Sequence, residues 1–166
     1  MGPVTALRRP LLVALVLGTS EAITATRHVT PGLLLSTTLC WSFVVVLQMA
    51  IALSLIAAPS RRTVGLSRAV DLFFASHVPW SLWLLAAAAW APSPMGRSTT
   101  PLFVAASVPA LLTPRMIAAF FREVLEMDPR EARARTVVHQ AVTWGLFGGL
   151  FAASVAIVPR VHEWFA

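Results

Sequence analysis

Four ionisable side chains fall inside the long apolar stretches of this 166-residue sequence: Asp71, His77, Arg115 and His139. In a bilayer such groups are costly unless they pair or line a wet cavity, so they are the first candidates for chemistry. All four lie toward the arginine-flanked ends of their stretches, where together they could line one polar cavity. His77 and His139 carry a more specific possibility, because two imidazoles from facing helices are what a b-type haem uses as axial ligands. Counted along ideal helices from Val70 and Val137, the two histidines are offset by about 7.5 Å, which works against a shared iron. Structural roles account for the same residues: Arg68 stands one helical turn from Asp71, Arg115 can extend to headgroups, and His139 sits near the end of its stretch.

The spacings that build enzyme active sites are missing. The sequence contains no HExxH zinc pair, no GxSxG nucleophile turn, no GxxxxGK[ST] phosphate loop and no CxxC, and its lone cysteine is Cys40. A non-enzymatic protein without a metal centre is therefore expected. A different pattern serves packing: Gly145, Gly149 and Ala153 place a small residue every four positions, with Gly148 beside them. Such a stripe lets helix backbones approach closely inside lipid, where no hydrophobic drive brings helices together. It can face another helix of this chain, with Ala50, Ser54 and Ala58 as a candidate mate, or a helix of a second molecule.

The elements that must position these residues follow from composition. Apolar residues make up 57% of the chain and charged residues only 12%, far from the balance of soluble domains. With a mean hydropathy of +0.76, the 166 residues read as a single integral membrane domain. All thirteen basic residues are arginine and they sit between apolar runs. Their natural partners are anionic headgroups, and no nucleic-acid partner is implied.

The expected fold is all-α, a polytopic bundle of four long transmembrane helices at residues 32–58, 70–91, 102–121 and 137–158. The second carries Pro79. Pro109 and Pro114 should kink or break the third, and Thr113 followed by Pro114 resembles a helix restart with a hydroxyl cap. From Arg115 an amphipathic and charged helical link, 115–135, should run out of the membrane, with Arg122, Glu123 and Glu126 opposite Ile117, Phe120, Phe121, Val124 and Leu125. Asp128, Pro129 and Glu131 form the start signal of the last helix, and Pro159 should stop it. Residues 10–26 form a shorter apolar helix, either interfacial or a fifth crossing, in a layout that also mimics a signal peptide. Four spans place 8 arginines on the side of the 59–69 and 115–135 loops and 5 on the other; a fifth crossing makes the split 10 against 3. Both arrangements put those two loops in the cytoplasm.

With four or five short-looped spans, an arginine-flanked N-terminal apolar segment and the link from Arg115 to Arg135, the chain resembles a bacterial member of the Yip family of small polytopic membrane proteins. That resemblance is one of layout and brings no site residues with it. It implies a non-enzymatic protein of a bacterial inner membrane that acts in membrane organisation or by binding partner helices. The leading expectation is thus a multi-pass protein acting by helix packing, alone, as a homo-oligomer or as an accessory subunit, with no cofactor. The alternatives are an electron-transfer anchor holding haem b or quinone near His77 and His139, and a small transporter with a cavity at Asp71 and Arg115.

Overall fold

The computed structural model describes residues 3–26, 30–56, 64–90 and 100–165. These are helical almost throughout: α1 (Pro3–Thr26), α2 (Pro31–Ile56), α3 (Leu66–Ala75), α4 (Val78–Trp90), α5 (Thr100–Ala105), α6 (Ser107–Ala119), a π-helical turn (Phe120–Val124) and α7 (Pro129–Phe165). No strand occurs among the described residues.

Two stretches are long and apolar enough to cross a membrane, Pro31–Ile56 and Thr100–Val124. The pair α3 and α4, bent by 47° at its junction, makes a third if it is counted as one broken span. The all-helical, membrane-compatible architecture matches the sequence expectation, while four long spans exceed what length and hydropathy establish among the described residues. The side chains of the 137–158 stretch lie partly outside them.

Prolines explain where the helices break. A proline has no N–H and its ring crowds the carbonyl four residues back, so a helix tends to end there. The residue four before Pro79 is Ala75, where α3 ends, and the residue four before Pro109 is Ala105, where α5 ends. At the first break the chain tightens, with the His77 N–H donating to the Phe74 carbonyl at 3.0 Å, three residues back. Two expectations are corrected here. The third span keeps only the interruption expected of Pro109, a single turn residue at Ala106, while α6 runs unbroken through Thr113 and Pro114. Helix α7 continues through Pro159 to Phe165, because a single proline removes one hydrogen bond and the turns on either side hold the rest.

The start of α7 is as the sequence indicates. Asp128 Oδ1 accepts from the N–H groups of Arg130 at 2.8 Å and Glu131 at 3.1 Å, while Glu131 turns forward to pair with Arg135 at 2.8 Å. The 115–135 link, by contrast, is not one helix. It passes through the π-helical turn and a non-helical stretch in which Glu126 adopts φ 52°. Its amphipathic division does hold: Arg115, Arg122, Glu123 and Glu126 are exposed, and Ile117, Phe120, Phe121 and Leu125 are buried.

Helices α1 and α2 form an antiparallel hairpin. The two helices approach closely at Gly18, whose carbonyl accepts from Thr37 Oγ1 at 2.8 Å, and Glu21 accepts from the Trp41 indole N–H at 2.8 Å. Asp71 of α3 ties the start of α1 to the bundle, paired with Arg68 at 2.9 Å and Arg9 at 3.7 Å. At this same end Ile56, Val70, Phe73, Ile117, Phe121 and Leu125 make the hydrophobic core, and Arg135 donates to the carbonyl of Leu55 at the end of α2.

Candidate functional site: a histidine pair beside an aromatic cavity

The break before Pro79 puts His77 at a corner, aimed across the bundle at α7. Its Nε2 lies 3.3 Å from Nε2 of His139, and the rings meet edge to face with centroids 5.2 Å apart. The offset expected from ideal helices is therefore corrected: the bend removes it. Phe73, fully buried in the core, packs its ring against both imidazoles, at 4.9 Å and 5.4 Å.

Hydrogen bonds fix the protons of this pair. His77 Nδ1 lies 3.0 Å from the Phe73 carbonyl, which can only accept, so Nδ1 carries the proton and Nε2 offers a lone pair. His139 Nε2 must then be the donor, and it has two acceptors: His77 Nε2 and, at 3.1 Å, Gln48 Oε1. The Gln48 amide donates in turn to Thr143 Oγ1 at 3.3 Å. One N–H thus serves two acceptors, leaving hydrogen-bonding capacity at the His77–His139–Gln48 cluster. Gln48, Thr143 and His139 are all buried.

The cluster borders a cavity of ≈ 330 Å³ between α1, α2, α4, α6 and α7. Its walls are aromatic, with Trp41, Trp80, Trp83, Trp144, Phe74 and Phe147. Trp80 meets Trp83 and Trp144 edge to face at 5.6 Å and 5.3 Å. No Asp, Glu or Arg is among the described residues lining it. One polar wall group is unsatisfied: Thr113 is 1% exposed and its Oγ1 has no hydrogen-bond partner. The hydroxyl that the sequence suggests as a helix cap is instead the orphan of the site.

Of the four ionisable residues expected to share a cavity, the structure brings together His77 and His139. Asp71 is held by Arg68 and Arg9, and Arg115 is exposed on α6; neither lines this cavity. The spacing of the histidines also bears on haem. Two axial imidazoles on one iron stand about 4 Å apart, with the macrocycle between them. Here the two Nε2 atoms are in direct contact, so the pair does not fit that role as it stands. Among the described residues no group of three or more His, Cys, Asp or Glu could hold a metal ion.

The glycines of the small-residue stripe face open space among the described residues. Gly145 and Gly149 are exposed, and nothing lies within 4 Å of where a Cβ would sit on either or on Gly148. The side chain of Ala153 lies outside the described residues. Ala50 and Ser54 are likewise exposed, so they are not the mates of that stripe, and Ala58 lies outside the described residues.

Gln48 is visible in the sequence as the most polar residue of the 32–58 stretch, yet only the fold shows what it meets. Thr113 is marked in the sequence only as a candidate cap, and Gln140, Thr143 and the tryptophan walls carry no spacing that would single them out. Neither family models, nor characterised proteins, nor solved structures contain a match to this chain. The likeness in layout to Yip proteins therefore has no family match beside it.

Proposed function

We propose that this chain is a multi-pass membrane protein that holds a neutral, lipid-soluble small molecule in the cavity between α1, α2, α4, α6 and α7. The observation that carries this reading is the cavity itself, ≈ 330 Å³ with aromatic walls and a few convergent polar groups. Apolar concavities of this size with sparse, placed polar atoms are where small molecules bind. The reading involves no reaction. Its test is binding of an environment-sensitive lipophilic dye to the purified protein. Saturable binding should be lost in Ala14→Phe, which fills the cavity from a buried position on α1, while helicity is kept. Dye binding that survives this filling would refute the site.

The same geometry supports a topology. Arg9 against Asp71 brings the start of α1 to the end of the bundle that holds the core, the start of α7 and the end of α2. That favours α1 as a fifth crossing, the 10-against-3 division of arginines, with the 59–69 and 115–135 loops cytoplasmic. Labelling of cysteines introduced at Arg8, Arg97 and Arg130, with Cys40 replaced, tests it. Arg8 and Arg130 should react from one side and Arg97 from the other.

A second reading, partner binding through helix packing, is favoured by the open face at Gly145, Gly148 and Gly149, which leaves a close-approach surface on α7 free for another membrane helix. Gly149→Leu should dissociate such an assembly by native mass in detergent. An unchanged mass removes Gly149 from any seam.

A further inference from the structure

We infer that the ligand of this cavity is of the quinone class: a planar ring bearing carbonyl oxygens, or hydroxyls when reduced, on an apolar tail. The inference rests on the lipid-soluble-ligand reading above and specifies its chemistry.

The first ground is Thr113. Several hydroxyls inside these helices bond the carbonyl four residues back, as Thr19, Ser42, Ser81 and Thr136 do at 2.8 to 3.3 Å; among the described residues two buried hydroxyls, Thr38 and Thr113, have no partner, and of these Thr113 is the one that lines the cavity. Thr113 makes no such bond and is buried against the cavity. A buried hydroxyl without a partner is unfavourable, and a ligand oxygen satisfies it. The second ground is the histidine cluster, on the corner before α4 and on α7, where one N–H is shared between His77 Nε2 and Gln48 Oε1. The lone pair left over can accept from a ligand hydroxyl. The cavity thus presents two polar groups from different helices, one able to donate and one able to accept.

Shape and charge narrow the choice. Flat walls of Trp41, Trp80, Trp83 and Trp144 favour a ring, through stacked and edge-to-face contacts. The absence of charged side chains among the described lining residues disfavours anions, cations and phospholipid headgroups, because a charge taken out of water needs a partner. A volume of ≈ 330 Å³ holds one substituted ring and the start of a tail.

The experiment is displacement of the lipophilic dye from purified protein by a benzoquinone bearing one isoprene unit and, separately, by a ring-less isoprenoid alcohol of similar length. The quinone should displace dye at lower concentration than the alcohol. Thr113→Val should weaken it about three- to tenfold, the worth of one hydrogen bond, and Thr113→Ser should restore it. Equal displacement by quinone and alcohol, or full-strength quinone binding to Thr113→Val, overturns the quinone inference and leaves the cavity reading standing. A wild-type protein that binds no dye overturns the cavity reading and the quinone inference with it.

Discussion

Gly18 offers a quantitative test of the α1–α2 hairpin that builds one wall of the cavity. A Cβ there would stand 2.7 Å from the backbone nitrogen of Thr38 and 2.8 Å from its Cα, where ordinary contact begins near 3.4 Å. The obstacle is backbone, so the helices must part by several tenths of an ångström. Parting also stretches the 2.8 Å bond from Thr37 Oγ1 to the Gly18 carbonyl. Overpacking costs about 1–3 kcal/mol, and an interhelical hydrogen bond within lipid averages about 0.6 kcal/mol. Against this, alanine gains about 1 kcal/mol over glycine in a helix. The net loss for Gly18→Ala is about 0.6–2.6 kcal/mol, a fall of roughly three- to eightyfold in the folded-to-unfolded ratio. Gly145→Ala and Gly149→Ala meet open space, so they keep only the propensity gain and should stabilise by up to about 1 kcal/mol. The assay is unfolding in mixed micelles as the fraction of denaturing detergent rises, followed by far-ultraviolet circular dichroism and tryptophan emission. A Gly18→Ala protein as stable as the wild type, or shifted in the same direction as Gly145→Ala, would show that the close approach is not part of the fold.

Three further perturbations test the corner, the histidine pair and the start of α7. Pro79→Ala should restore helical hydrogen bonding across the 47° bend and draw His77 from His139. Spin labels at the exposed positions Leu66 and Leu82, with Cys40 replaced, should move apart, and an unchanged distance would refute proline as the cause. Phe substitutions at His77 and His139, singly and together, should show a coupling of about 0.5–1.5 kcal/mol in unfolding, whereas additive losses would mean that the 3.3 Å contact contributes nothing. Asp128→Ala removes the acceptor for the N–H groups of Arg130 and Glu131 and should cost about 1 kcal/mol. Faster amide exchange confined to the first turn of α7 is the expected signature, and unaltered exchange there would count against the cap.

What the sequence determined by itself is what depends on local or averaged properties. Apolar runs and sparse arginines specify an all-helical, membrane-compatible chain, since backbone groups in lipid must be satisfied within the segment. The start of α7 is equally local: Asp128, Pro129 and Glu131 lie within one turn, and the cap geometry follows from them. The amphipathic split around Arg115 to Leu125 likewise survives the interruption by the π-helical turn, because burial follows side-chain polarity. Proline positions were only half legible. The penalty at the carbonyl four residues back is local, yet the outcomes differ: α3 ends before Pro79 with a 47° bend, a single turn residue precedes α6 at Pro109, and the helices run on through Pro10, Pro114 and Pro159.

Only the tertiary structure decided the site. Gln48, His77 and His139 are separated by up to 91 residues, and a 47° bend turns an offset along ideal helices into contact. Thr113 shows the limit most plainly: its identity and its following proline suggest a cap, while its role as an unsatisfied cavity hydroxyl depends on which way α6 faces the bundle. Direction and enclosure are properties of packed helices, and no single helix carries them.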